Sequence, residues 1–169
     1  MAKTFRLVYL SLLVALSLTL FMFEGLLPVP FLAPGAKLGL ANIVTVVALC
    51  TMPRWQDALL VLVSRIVLAT LLGGGPAIMA YSLAGGILSF TGMVLLRRTG
   101  CFTVIGFSAA GGFLHNVGQL MIASAAIGGW GLFAYLPILG PCGLLTGGVI
   151  GWLAALLVPR LQRYIDGRN

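Results

Sequence analysis

The sequence predicts an all-α integral membrane protein with about six transmembrane helices. Hydrophobic residues make up 60% of the 169 residues and charged residues only 8%, whereas a soluble domain carries about a quarter charged residues. So few charges cannot cover a water-facing surface, so most of the surface is expected to face lipid. Because one span takes about 20 residues, the spans use nearly the whole chain. We therefore expect a single transmembrane domain without a separate soluble catalytic domain.

Proline, glycine and charge mark the ends of the predicted spans. Pro53 ends the second span because proline cannot continue the helical hydrogen-bond ladder. The apolar stretch that begins at Trp130 is too long for one untilted span, and Pro141 is suited to the first turn of a helix. The sixth span is therefore expected to begin at Pro141, after a hydrophobic loop or short interfacial helix over residues 127–139. The predicted spans are residues 7–26, 37–52, 57–72, 77–96, 102–126 and 141–158.

The basic residues test this number of spans. With the N-terminus inside, all of them except Lys37 and Arg65 fall on the cytoplasmic side: Lys3, Arg6, Arg54, Arg97, Arg98, Arg160, Arg163 and Arg168. Lysine and arginine prefer that side in membrane proteins, and the pattern requires an even number of spans. It predicts a multi-pass protein of the cell membrane with both termini cytoplasmic. The N-terminal stretch lacks a small-residue cleavage pattern and is expected to remain as the first span.

Several function classes are disfavoured by the sequence. The net charge is +7, but the chain contains no run of basic residues with interleaved aromatic residues, so a nucleic-acid partner is not predicted. Cys50, Cys101 and Cys142 are far apart and form no CxxC pair, so neither a zinc site nor a disulfide framework is indicated. No second His or Cys lies near His115 for a metal site. Without a GxSxG elbow or a phosphate-binding GxxxxGK[ST] loop, we expect no enzymatic activity, no metal and no cofactor.

Polar residues at membrane depth are the most informative feature of the chain. Buried ionisable groups are costly in a bilayer and usually mark function. Under the predicted topology nearly all of them lie between the mid-plane and the outer surface, whereas a channel or proton relay would need them through the whole thickness. We therefore expect an outward-facing pocket between spans two and five for a small anionic or amphipathic metabolite. Its candidate residues are Glu24, Lys37, Asn42, Arg65, Tyr81, His115, Asn116 and Gln119.

A structural interpretation of the same residues stays open. Glu24 and Arg65 can neutralise each other while the amides bridge helices. His115 can bridge helices rather than bind a ligand, and Lys37 can anchor the chain at the interface by extending its side chain towards water.

Small residues recur four positions apart on two spans, and such stripes let helix backbones approach closely in lipid. The stripe on span six consists of Gly143, Gly147 and Gly151. We expect it to pack within the bundle. The stripe on span one consists of Ser11, Ala15 and Thr19. For this stripe, a partner protein and internal packing are both open.

Three segments and one arginine together resemble a known bacterial membrane family. The segments are residues 34–42 (PGAKLGLAN), 81–86 (YSLAGG) and 115–119 (HNVGQ), and the arginine is Arg65. The resemblance extends over essentially the whole chain. The family has two names, Gx transporter and heptaprenyl diphosphate synthase component I.

The two names imply different functions. The family is similar to the S components of energy-coupling factor (ECF) importers, which implies an S-component-like six-helix bundle that captures a substrate from outside. It also implies that Ser11, Ala15 and Thr19 dock a coupling membrane protein that carries two ATPases. The other name implies a non-catalytic membrane component associated with heptaprenyl diphosphate synthase. Such synthases hold magnesium and diphosphate on aspartate-rich motifs, whereas this chain has only Asp57 and Asp166. A purely structural scaffold, without a pocket, is a third hypothesis.

Overall fold

Six apolar stretches form α-helices in the part of the chain that the structure describes, residues 3–26 and 39–167 of a computed structural model. The helices are α1 (Lys3–Leu26), α2 (Leu40–Thr51), α3 (Trp55–Ala69), α4 (Gly75–Arg98), α5 (Val104–Ile127) and α6 (Leu136–Asp166). A π-helical turn, Thr70–Gly74, precedes α4, and a 3-10 helix, Trp130–Tyr135, precedes α6. No strand occurs in these residues, which confirms the predicted all-α class and the number of helices.

The helical segments have the length and composition of membrane spans. Four are long and apolar enough to cross a bilayer: Lys3–Gly25, Trp55–Gly73, Gly75–Arg98 and Trp130–Ile165. Helix α5 is also 24 residues long, but it carries the polar residues His115, Asn116 and Gln119. Many large apolar side chains point away from the bundle, for example Leu7, which is 65% exposed. The protein is therefore a multi-pass membrane protein whose apolar surface faces lipid.

Helix α6 begins at Leu136, five residues before the predicted start at Pro141. Pro141 lies inside the helix and leaves its first turns short of one backbone donor. Such a proline is tolerated in a membrane helix when neighbouring helices supply hydrogen bonds to the backbone. The carbonyl that loses its helical donor is that of Pro137, and the Asn116 side-chain amide of α5 binds a carbonyl in the same turn, that of Leu139, at 2.7 Å.

Helix α2 forms the centre of the bundle and is short. Its 12 residues are mostly buried, and it packs against α1, α3 and α6. The last carbonyls of a helix lack partners within the helix, and Pro53 has no N–H to offer. The Arg97 guanidinium of α4 donates to the Leu49 carbonyl, and the Gln162 amide of α6 donates to the Cys50 carbonyl at 3.2 Å. Side chains from two other helices therefore fix the C-terminal end of α2.

Glycines bring α5 into backbone contact with both of its neighbours. A Cβ atom on Gly147 would lie 2.5 Å from the Ser108 carbonyl oxygen, and one on Gly143 would lie 2.7 Å from the Gly112 carbonyl oxygen. On the other side of α5, a Cβ on Gly118 would lie 2.6 Å from the Ala84 carbonyl oxygen of α4. The stripe on span six therefore packs within the bundle, as predicted.

An ion pair that the sequence analysis did not anticipate joins α1 to α3. Arg6 Nε donates to Asp57 Oδ2 at 3.1 Å, and a second guanidinium nitrogen donates to Oδ1. The Asp57 residue is only 2% exposed, so its charge depends on this partner.

The contacts of Arg6, Arg97 and Gln162 place one end of α1, α2, α3, α4 and α6 side by side, and this end carries most of the basic residues.

In a variant without the native cysteines, a cysteine at Arg97 or Arg163 should react with a membrane-impermeant maleimide in inverted vesicles but not in intact cells. This result is expected because lysine and arginine residues of membrane proteins are enriched on the cytoplasmic side. A cysteine at Ile127, which is 72% exposed at the opposite end of α5, should show the reverse. Labelling of a cysteine at the Arg97 position in intact cells would show that the predicted topology is the wrong way round.

Candidate functional site

The N-terminus of α2 opens into a small polar cavity between the first five helices. The cavity is lined by Phe21, Glu24, Gly39, Ala41, Asn42, Arg65, Ser82, His115 and Gln119. Its volume is about 20 Å³, which is room for about one water molecule. Ligand sites are usually concave, mostly apolar and equipped with a few placed polar groups. The cavity has that polar set, drawn from five different helices or their ends.

The start of α2 is fixed by Gly39 and Glu24. Gly39 has a φ of 75°, in the left-handed region that suits glycine. Its backbone N–H donates to Glu24 Oε1 at 2.5 Å, and its carbonyl accepts from the Asn42 N–H at 2.8 Å. A carboxylate is favourable at this position because a helix N-terminus carries a positive partial charge.

Arg65 lies in this cavity with part of its guanidinium unsatisfied. The residue is 4% exposed, and its guanidinium carbon lies 5.3 Å from the centre of the Phe21 ring. Such a cation–π contact contributes about 0.5–2 kcal/mol. Arg65 Nε has no hydrogen-bond partner among the described residues. A buried donor without a partner costs about 1–3 kcal/mol, and this donor belongs to a side chain that lines the cavity.

Glu24 and Arg65 line the same cavity without forming a contact ion pair. Glu24 attracts Arg65 electrostatically, but in the described part of the chain no oxygen–nitrogen distance between them is within 4.0 Å. One Glu24 oxygen is instead held by the Gly39 N–H. If Glu24 and Arg65 neutralise each other, as the structural interpretation holds, they do so through space and not by a direct contact.

Residues 81–86 of α4 and residues 115–119 of α5, two of the segments that carry the family resemblance, pack directly on each other. A Cβ atom on Gly85 would lie 2.9 Å from His115 Nδ1, so the histidine occupies the space that this glycine leaves. His115 and Gln119 are one helical turn apart and both line the cavity. The glycines of these segments therefore serve packing, and the histidine and glutamine face the cavity.

The structure brings together Glu24, Asn42, Arg65, His115 and Gln119, but it separates other predicted site residues from them. Asn116 faces α6 and binds the Leu139 carbonyl, so it bridges helices. Tyr81 is half-buried, and the cavity wall at this point is formed by the neighbouring Ser82. Lys37 lies outside the described residues.

Ser82 and Phe21 were missed by the sequence analysis, although weak signals exist for both. Phe21 precedes Glu24 by one helical turn and so shares its face of α1. Ser82 likewise precedes Gly85 by one turn, and Gly85 is the glycine against which His115 packs.

The predicted docking residues lie on the outside of α1. Ser11, Ala15 and Thr19 are exposed, and Thr19 Oγ1 donates to the Ala15 carbonyl of its own helix at 2.9 Å. The opposite face of α1 carries the buried Ser17, whose hydroxyl donates to the Ala41 carbonyl at 3.3 Å. The small-residue stripe of span one is therefore not used for packing within the described part of the bundle.

A larger groove of about 420 Å³ lies between α5, the 3-10 helix and α6. It is lined by Phe113, Phe133, Leu136, Pro137, Gly140, Pro141 and Leu144. None of these side chains offers a hydrogen bond that could orient a ligand, so the Arg65 cavity is the better candidate site. In residues 3–26 and 39–167, no three His, Cys, Asp or Glu side chains come together as metal ligands.

Comparison with known proteins assigns the chain to a family. The family model for heptaprenyl diphosphate synthase component I matches residues 13–157. Because the match extends over most of the chain, the protein belongs to this family. No curated protein and no solved structure matches the chain.

Proposed function

We propose that this member of the heptaprenyl diphosphate synthase component I family is a non-catalytic membrane subunit that binds a small anionic or amphipathic molecule and acts together with a prenyl diphosphate synthase. The observation that carries the ligand-binding part is the buried Arg65, which lines a cavity at the N-terminus of α2 and whose Nε has no hydrogen-bond partner among the described residues. The family description supports the association with a synthase.

The physical case for ligand binding is that the cavity collects positive potential and free donors in one place. A charged side chain at membrane depth costs at least about 2.5–3.5 kcal/mol on insertion scales. Among the described residues, the Phe21 contact and the attraction of Glu24 offset part of this cost. Helix N-termini within membrane proteins often face anionic groups of substrates. An anion between Arg65 and the first turn of α2 would interact favourably with the guanidinium and with the N-terminus of the helix.

The aspartates support a non-catalytic role. Prenyl diphosphate chemistry needs several carboxylates around magnesium. Asp57 of α3 is buried and already paired with Arg6 of α1, and Asp166 is the last residue of α6. The chain therefore depends on another subunit for that chemistry, and the family description names it as one component of such an enzyme.

Co-purification tests the association. The tagged chain, solubilised from membranes in neutral detergent, should retain a soluble prenyl diphosphate synthase subunit and its activity. The synthase alone should remain in the soluble fraction. A control membrane protein with the same tag should retain none. If the synthase never enters the membrane fraction in the presence of the chain, the association is refuted.

A second candidate function is substrate capture for an ECF-type importer, and the exposed stripe of Ser11, Ala15 and Thr19 on α1 favours it. In that case a coupling protein and two ATPases should co-purify, and ATP-driven uptake should appear only in their presence. Ala15→Leu should weaken the co-purification, whereas Leu12→Ala on the same exposed side should weaken it less. Accumulation driven by a proton or sodium gradient in the isolated chain would contradict both functions.

Two amides of α5 separate ligand binding from bundle stability. Gln119→Ala should lower the fraction of protein that carries a co-purifying small molecule in native mass spectrometry, with little change in melting temperature, because Gln119 lines the cavity. Asn42→Ala should act in the same way. Asn116→Ala is the matched control, and it should lower stability by about 0.6 kcal/mol, the average for a hydrogen bond between membrane helices. Equal ligand occupancy in all three variants would place the ligand elsewhere.

A further inference from the structure

We infer that the Arg65 cavity accepts a group with a single negative charge, of the carboxylate type, and rejects a diphosphate. The inference rests on the proposed ligand binding and adds the chemical class of the ligand.

The charges of the described residues that line the cavity nearly cancel before a ligand enters. Its described lining contains one permanent cation, Arg65, and one carboxylate, Glu24. The N-terminus of α2 contributes roughly half a positive charge. A single negative charge changes this sum from about +0.5 to about −0.5, so the cavity stays close to neutral. A diphosphate would leave excess buried negative charge, which is strongly disfavoured in a low-dielectric interior.

The donors and the available space give the same result. The described lining residues that carry side-chain donors are Asn42, Arg65, Ser82, His115 and Gln119. A few donors of this kind can satisfy the two oxygens of a carboxylate, whereas a diphosphate presents many more oxygens. A cavity of about 20 Å³ is also close to the size of one water molecule, which suits a small planar group at the end of a larger molecule.

Glu24 sets this preference by its position. Its Oε1 holds the Gly39 N–H, so the carboxylate remains at the mouth of α2 rather than in contact with Arg65. Glutamine at this position keeps an acceptor for the Gly39 N–H and removes the negative charge. Glu24→Gln should therefore shift the preference of the cavity towards more highly charged anions without removing the cap of α2.

The test measures thermal stabilisation of the full chain in neutral detergent by acetate, phosphate and inorganic diphosphate at matched ionic strength. At about pH 8 phosphate is doubly charged, so the three probes form a charge series. Acetate should stabilise the wild type, and phosphate and diphosphate should not. Arg65→Gln should lose the acetate effect, and Arg54→Gln, an exposed arginine at the opposite end, should keep it. In Glu24→Gln the affinity for phosphate should rise by about tenfold or more, since a tenfold change corresponds to about 1.4 kcal/mol.

Oleate in lipid nanodiscs distinguishes a membrane-borne carboxylate from a soluble one. Binding of oleate that is lost in Arg65→Gln would identify the membrane as the source, and binding of acetate alone would identify a water-soluble molecule. Stabilisation of the wild type by diphosphate through Arg65, or no response to any of the anions, would overturn the inference. The synthase co-purification is independent of these probes, so failure of one experiment leaves the other interpretable.

Discussion

Gly147→Ala should lower the melting temperature of the protein, whereas Gly148→Ala should leave it unchanged or raise it slightly. A Cβ atom on Gly147 would lie 2.5 Å from the Ser108 carbonyl oxygen, and one on Gly148 would meet nothing within 4 Å. The first substitution forces α6 away from α5, because the obstructing atom belongs to the backbone and cannot rotate aside. Overpacking of this kind costs about 1–3 kcal/mol and occasionally more. Gly148→Ala gains at most about 1 kcal/mol from helix propensity.

The comparison is made by thermal unfolding of the two purified variants in the same detergent. Because the two glycines are adjacent, composition and depth in the membrane are matched. A variant at Gly112, which packs against Gly143 from the opposite helix, should resemble Gly147→Ala. Equal melting temperatures for Gly147→Ala and Gly148→Ala would mean that α5 and α6 are not in backbone contact.

Replacing both charges of the cavity, Arg65→Met with Glu24→Gln, should preserve or raise stability while ligand binding is lost. Buried charges are often replaced by apolar residues with neutral or stabilising effects of about 1–4 kcal/mol. Arg65 Nε has no hydrogen-bond partner in the part of the chain that the structure describes, and Glu24 is 4% exposed, so both charges are costly to bury. A residue that is kept at a cost to stability is typical of a functional site.

The single variants supply the control for this prediction. Arg65→Met alone leaves Glu24 buried without an opposing charge and should be less stable than the double variant. Thermal unfolding and native mass spectrometry on the same samples give stability and ligand occupancy together. A double variant that unfolds well below the wild type and still carries its ligand would show that the two charges hold the bundle together and bind nothing.

Much of the architecture follows from the sequence because the bilayer restricts each segment separately. A backbone in hydrocarbon must satisfy its own hydrogen bonds, so each apolar stretch forms a helix whatever its neighbours are. Proline and glycine therefore marked most helix ends. The start of α6 is an exception: Pro137 takes the first turn of this helix, and Pro141 lies inside it.

The composition of the cavity could be predicted in part. Glu24, Asn42, Arg65, His115 and Gln119 stand out because polar residues at membrane depth are rare and costly. Depth follows from position in a span, which the sequence supplies. Asn116 has the same depth as His115, yet it faces α6, because neighbouring positions on a helix point in directions about 100° apart. Which direction meets the cavity depends on how α5 is rotated within the bundle.

The sequence by itself determined the all-helical membrane class, the six helices, the basic character of one end and the polar residues at similar depth. Only the tertiary structure decided their partners. Asp57 pairs with Arg6, the carbonyls of α2 are held by Arg97 and Gln162, and Glu24 binds Gly39 rather than Arg65. These contacts depend on helix rotation and on the close approaches that glycines permit. Both are set by packing between segments far apart in the chain, which no local pattern records.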